Sequence, residues 1–174
     1  MKRILTSLWV ATSAACGPAI DQAVLESLAI SARDGLAEAL TSAATWSQDA
    51  ELRWIEGHDI DASGRATPGA GAWIYVFEAP GVAEQLAVAV SPRELEEELR
   101  PRRSPTGVVV GDAPLPADWI DSTDALERVS AAEPGLADGA LSVSLLPTRP
   151  AQWIIRADGR TWRLDARSGD LVGP

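Results

Sequence analysis

Trp153-Ile154-Ile155-Arg156-Ala157-Asp158-Gly159-Arg160-Thr161-Trp162-Arg163-Leu164 is the stretch that decides the fold of this chain. Asp158-Gly159 suits a two-residue type I′ turn, whose two central positions both need positive φ. With those residues as the loop, Ala157 pairs with Arg160, Ile155 faces Trp162 and Trp153 faces Leu164. The apolar residues then share one side, while Arg156, Thr161, Ile154 and Arg163 fall on the other. Turn chemistry and side-chain period therefore agree on a hairpin with one face toward a core and a charged face toward water.

Working outward, Leu141 to Leu145 reads as a further strand. Before it lies a helix in which Ala125, Val129 and Ala132 share a face, capped by Asp121 or Ser122 and stopped by Pro134-Gly135. The first half has the same order. Ile20 to Ala44 is made of helix formers, and Leu36, Leu40 and Ala44, at spacing four, mark an apolar face from about Asp34 onward. Glu51 to Ile60 alternates imperfectly, Trp73 to Glu78 alternates strictly, and Leu86 to Val90 reads as the neighbour of the latter. Ser91-Pro92-Arg93-Glu94 has the form of a capping box with Pro at the first helical position, which predicts a short polar helix ending near Arg100. Pro101, Pro105, Pro114 and Pro116 mark residues 101–118 as a Pro-rich linker with at most one short strand, around Val108-Val109-Val110.

The expected fold class is therefore α+β, a helix packed on an antiparallel β-sheet, in two repeats at residues 34–100 and 119–174. Each has a helix, a strand, a Trp-led strand (Trp73-Ile74-Tyr75-Val76 or Trp153-Ile154-Ile155-Arg156) and another strand, with a longer insertion, Asp61 to Gly71, in the first. The two units either share one continuous sheet or sit side by side.

At the amino terminus, Lys2 and Arg3 precede an apolar stretch from Ile4 to Val10, and Ser13-Ala14-Ala15-Cys16 follows. This resembles a bacterial lipoprotein signal. The resemblance implies that residues 1–15 are removed, that Cys16 carries the lipid, and that residues 16–33 form a tether. Plain secretion and a retained apolar segment are the alternatives. The apolar stretch is too short to span a bilayer, which takes about 20 residues. Gly17 stands after the cysteine in place of Asp, which in a Gram-negative cell favours the periplasmic face of the outer membrane.

The second half resembles a PepSY-type domain. The likeness rests on Asp121-Ser122-Thr123-Asp124-Ala125-Leu126 opening the helix, Pro134-Gly135 after it, Trp153-Ile154-Ile155 in the strand, and Leu164-Asp165-Ala166-Arg167-Ser168-Gly169-Asp170-Leu171 closing it. It implies an extracytoplasmic helix-on-sheet module of cystatin-like form that regulates or inhibits peptidases or binds partners, with no catalytic residues to carry over. Residues 34 to 90 share it only through the internal echo.

Composition narrows the function classes. The net charge of −10 repels phosphate backbones, so nucleic acid is not an expected partner. Lys2 is the only lysine, and its removal leaves no Schiff-base or P-loop lysine. Cys16 is the single cysteine, so no internal disulfide forms.

The remaining candidate sites have bland readings beside them. His58, the only histidine, lies in Glu56-Gly57-His58-Asp59-Ile60-Asp61, beside carboxylates that suit a base or a metal ligand, or as a solvated strand-edge residue. Asp59-Ile60-Asp61-Ala62-Ser63-Gly64 matches the opening of an EF-hand loop, but Ala70 stands where the bidentate Glu belongs, and an Asp- and Gly-rich hairpin loop accounts for the same residues. A Ser-His-Asp triad lacks its Gly-x-Ser-x-Gly elbow. Glu94, Glu96, Glu97 and Glu98 read as the solvated face of the short helix. Arg100, Arg102 and Arg103 suit lipid headgroups, an acidic partner or a soluble spacer. Trp73, Trp153 and Trp162 are expected in the core, whereas Trp46, Trp54 and Trp119 have less clear partners and are candidates for a binding patch.

The expectation is thus a non-catalytic protein without cofactor or metal, held to the membrane through the lipid on Cys16 and binding another envelope protein, a peptidase among the candidates. The alternative is a structural or envelope-maintenance lipoprotein with no specific partner.

Overall fold

A computed structural model describes residues 27–102, 113–133, 136 and 140–172. The element order is α1 (Leu36–Trp46), β1 (Glu51–Ile60), β2 (Ala72–Glu78), β3 (Glu84–Val90), β4 (Leu95–Pro101), α2 (Ser122–Ala132), β5 (Leu141–Leu146), β6 (Gln152–Ala157) and β7 (Arg160–Asp165). All seven strands form one antiparallel sheet in the order β4-β3-β2-β1-β5-β6-β7. The first strands of the two halves, β1 and β5, pair with each other, so the halves share a continuous sheet.

The hairpin register matches the expectation at every pair, from Ala157↔Arg160 to Trp153↔Leu164. Asp158 and Gly159 take φ of 48° and 74°. The imperfect alternation of β1 has a local cause. A bulge between Leu52 and Trp54 shifts the pleat by one residue, so Arg53 and Trp54 are both buried.

One core cluster joins both halves. Ile55, Trp73, Tyr75, Phe77, Val88, Val143, Trp153, Ile155 and Leu164 pack with Ala39 and Ala43 of α1 and with Ala125, Leu126 and Val129 of α2. On the other sheet face a smaller cluster consists of Trp54, Val76, Ala87, Leu146 and Ile154, with Ile74 beside it.

Four expectations need correction. The face of α1 toward the sheet is Ala39, Ser42 and Ala43, while Leu40 is 45% exposed and Ala44 also faces outward. Small residues let the helix approach a sheet already filled by Tyr75 and Phe77, so the larger leucine is displaced to the flank. In α2, Ala125, Leu126 and Val129 are buried but Ala132 is exposed. Residues 91–100 form a hairpin and not a helix. Ser91 Oγ accepts from Glu94 N at 3.1 Å, the bond a capping box would make, but Ser91 N also donates to Glu94 O at 2.9 Å and the chain turns back as β4. Pairing along all of β3 outweighs a short polar helix, which is marginal on its own. Finally, the segment assigned to the tether enters the fold before residue 34. Ile30 pairs with Ala66, and Ala32 is fully buried.

The two outer edges differ. Beside β7, residues 170–172 return along the strand: Asp165 N donates to Asp170 O at 2.8 Å and Val172 N to Arg163 O at 2.8 Å. No strand among the described residues pairs with the outer side of β4. No helix among them is long and apolar enough to cross a membrane. Cys16 and the signal, Arg103, Val108 to Val110 and Pro134-Gly135 lie outside the described residues.

Candidate functional site

The lead-in to α1, the loop after β1 and the start of α2 meet at one buried hydroxyl. Ser122 Oγ donates to Gly64 O at 2.7 Å and accepts from Ala32 N at 3.0 Å. Asp121 caps α2 through its Oδ1, which accepts from Ser122 N at 2.7 Å and from Arg33 N at 3.1 Å. Arg33 lies 4.2 Å above the Trp119 ring and donates to Trp119 O. Trp119 meets Trp153 edge to face at 5.9 Å, and Trp153 meets Trp73 in the same way at 6.4 Å. Tyr75 OH donates to Ala32 O at 2.7 Å, and burial, then Asp121 and Asp34, push its phenol well above the ordinary value. Sequence reasoning missed this junction, because its partners are distant in the chain and no local motif announces them.

His58 projects from β1 on the second sheet face with a side-chain exposure of 57%. Its Nε2 is 3.7 Å from Glu56 Oε2, while Glu56 Oε1 accepts from Trp54 Nε1 at 3.1 Å. The row is a surface pair with an anchored indole. The residues resembling a calcium loop are used differently. Asp61 Oδ1 accepts from Ser63 N, Ser63 Oγ and Arg65 N at 2.7 to 3.0 Å, so this carboxylate oxygen caps its own turn. Beside the loop an open cavity of about 790 Å³ is lined by Ala29, Asp59, Asp61 and Arg65, and the arginine donates to Ala29 O at 3.1 Å. Among the described residues no three of His, Cys, Asp or Glu gather where they could hold a metal ion.

Among the described residues the tryptophans do not form an exposed patch. Trp54 and Trp119 are buried, and Trp46 and Trp162 are half-buried against the main core. Arg102 pairs with Glu78 Oε1 at 2.9 Å, and Arg100 Nε lies 3.7 Å from Glu98.

The most accessible arrangement is β4 itself. Glu96, Glu97 and Glu98 are exposed there, together with Leu95 at 42% and Leu99 at 58%, and Glu94 is exposed in the turn before it. The register puts Leu95, Glu97 and Leu99 beside Val90, Val88 and Leu86, on the helix side, and Glu96 and Glu98 on the other. Between β4 and α1 runs an open groove of about 440 Å³ lined by Ser42, Thr45, Trp46, Leu86, Leu99 and the acidic Glu97 and Glu98. Sequence reasoning had singled out these carboxylates but placed them on a helix.

The fold is similar to that of a solved structure, a candidate lipoprotein from Clostridium difficile 630, with a TM-score of 0.52 and 12% identity over 79% of this chain and 90% of that one. At that identity the likeness concerns the fold. No family model matches the chain, and no curated protein matches it.

Proposed function

We propose that this chain is a membrane-tethered extracytoplasmic lipoprotein that acts by binding another envelope protein, without catalysis, through two PepSY-like helix-on-sheet units. The lipid anchor is read from Ser13-Ala14-Ala15-Cys16, and the lipoprotein description of the similar fold from Clostridium difficile supports it. In a Gram-negative cell the anchor sits in the periplasmic face of the outer membrane. The observation that carries the binding reading is the bare outer side of β4, seven residues long, whose backbone donors and acceptors have no strand partner among the described residues. Of the polar groups that suggested chemistry, Asp61 caps its own turn and His58 is an exposed residue beside Glu56. Peptidases are the partner class that the PepSY resemblance implies.

The test is cross-linked affinity capture of the full-length lipidated protein from native membranes, with Cys16→Ala as control and mass spectrometry as readout. One near-stoichiometric partner, weakened in the control, is the expected result. Retention of the Cys16→Ala form in the detergent phase would overturn the anchor. Absence of any partner above background would overturn the binding reading and favour a structural, envelope-maintenance role.

A further inference from the structure

The cavity beside the loop after β1 lies at the end of the sheet from which the chain runs back toward Cys16. Ile60, the last residue of β1, and Ala29 both line it. Twelve residues separate Ala29 from Cys16. Whatever their conformation, they span no more than about 45 Å, at roughly 3.5 Å for each step of the chain. A lipid on Cys16 therefore keeps the mouth of this cavity within that distance of the bilayer.

Three charged side chains stand on its walls, Asp59, Asp61 and Arg65. The pairing of β1 with β5 shifts register between Gly57 and Ile60, and within that irregularity Asp59 takes a φ of 53°, a left-handed conformation that few residues besides Gly, Asn and Asp adopt. Gly71 makes room for it, since a Cβ there would lie 2.5 Å from Asp59 O. The Asp59 carboxylate has no hydrogen bond or ion pair among the described residues. Asp61 commits Oδ1 to its own turn, and none of those bonds uses Oδ2. Arg65 is tied through Nη1, which donates to Ala29 O at 3.1 Å and lies 3.7 Å from Asp34 Oδ2, and 41% of its side chain stays exposed. A guanidinium has five N–H groups, more than those contacts use.

These charges narrow the ligand. Two carboxylates against one guanidinium, with Asp34 behind the latter, make the cavity net negative, so a free anion is repelled. A plain amine is drawn to Asp59 and Asp61 but sets a like charge against Arg65. A zwitterion with a primary ammonium group near a phosphodiester answers both signs, the ammonium donating to the aspartates and the phosphate accepting from Arg65. Ethanolamine phospholipids carry that pair of charges in their headgroup, and the anchor holds the cavity within reach of their surface.

Resting on the membrane-tethered reading above, we infer that the cavity beside the loop after β1 binds the phosphoethanolamine headgroup of a membrane lipid, with Asp59 and Asp61 on the ammonium and Arg65 on the phosphate.

The experiment uses the mature chain with Cys16→Ser, which carries no lipid of its own. Calorimetric titration with glycerophosphoethanolamine, the water-soluble headgroup, is expected to show one site. Ethanolamine and glycerol phosphate, each with one of the two charges, should bind more weakly by a factor on the order of ten. Asp59→Asn should weaken headgroup binding about tenfold. Asparagine accepts the same left-handed φ, and urea titration should show the fold kept. Arg65→Gln should weaken binding of the headgroup but not of ethanolamine, a split that loss of folding does not produce. Flotation with vesicles then separates the sources: the chain should float with mixed phosphatidylethanolamine and phosphatidylcholine, and not with phosphatidylcholine alone, whose trimethylammonium group donates no hydrogen bond. No binding of glycerophosphoethanolamine, equal binding of ethanolamine, equal binding by Asp59→Asn, or equal flotation with phosphatidylcholine overturns the proposal. Binding of the soluble headgroup without flotation makes a free zwitterion the ligand, and also overturns it. The anchor is judged separately, by detergent partition of the full-length protein and its Cys16→Ala form, so a failed titration beside a confirmed anchor strikes the cavity assignment alone.

Discussion

Trp73 and Trp153 make the same hydrogen bond in the two halves of the sheet. Trp73 Nε1 donates to Ile30 O at 3.1 Å and Trp153 Nε1 donates to Ile120 O at 3.0 Å, each indole tying a helix lead-in to the second strand of its half. The partners are 43 residues apart in the first half and 33 in the second, the difference reflecting the longer loop after β1. The two rings also touch across the strands between them. They reach each other because β1 has a glycine opposite Trp73: a Cβ on Gly57 would lie 2.5 Å from Trp73 Cζ3 and 2.6 Å from Ile60 Cγ1.

Gly57→Ala should therefore destabilise the protein by about 1–3 kcal/mol, the usual range for forcing a group into a filled core. Trp73 cannot withdraw without losing both its hydrogen bond and its contact with Trp153. The check is the urea midpoint together with near-ultraviolet circular dichroism, which reports the packing of the coupled indoles. An unchanged spectrum and midpoint would mean that the ring does not lie over the β1 backbone.

Ser122→Ala removes the hydroxyl shared by Gly64 O and Ala32 N and leaves both groups buried without that partner. The expected loss is about 1–3 kcal/mol. Amide exchange should separate this from a general weakening: the amide of Ala32 should gain exchange rate more than those of β6 and β7.

Tyr75 is the single tyrosine, so its ionisation can be followed directly by ultraviolet absorbance. Its folded pKa is raised, first by burial and then by Asp121 and Asp34, so the folded state holds the proton that the unfolded chain releases near pH 10. Tyr75 thus contributes full stability below about pH 10, and that contribution is lost as pH rises from there toward the folded pKa. The phenol should ionise only with unfolding. Tyr75→Phe should flatten the alkaline decline of the urea midpoint, while lowering it at neutral pH through loss of the bond to Ala32 O.

Asp165 works in the opposite sense. Its carboxylate accepts backbone bonds from Ser168 N and Arg167 N, both at 2.9 Å, and these, Ser168 first, hold its pKa below the ordinary value. Its contribution is present above the unfolded carboxylate pKa and disappears as pH falls through the folded one. Because the turn is solvent-exposed, the effect is small. Asp165→Asn should lower the urea midpoint slightly at neutral pH, and the gap to wild type should close in acid. A gap that persists at the lowest pH would show that charge is not its cause.

How much of this could be read from the chain depends on how local each cause is. The β6–β7 hairpin was legible to the residue because Asp158-Gly159 and the period of two constrain the same register. The face of α1 was not, because Leu40 competes with Ala39 and Ala43, and only the bulk of Tyr75 and Phe77 beneath decides for the small residues. Ser91 and Glu94 make one shared hydrogen bond in a capped helix and in a tight turn alike, so the motif could not choose between them. The groove beside β4 was illegible for the same reason, since it exists only once β4 pairs with β3 and α1 lies over β2 and β3. The carboxylates of that edge were visible in the sequence, but their common side was not.

Among the described residues the two rims of the sheet are unequally covered. Open-ended growth by strand addition needs two complementary ends, and here residues 170–172 occupy the rim beside Arg163 and Asp165 while β4 stays bare. Adding a strand at the end of the β7 rim would first have to displace residues 170–172 from Arg163 and Asp165, a step that the β4 rim does not require among the described residues.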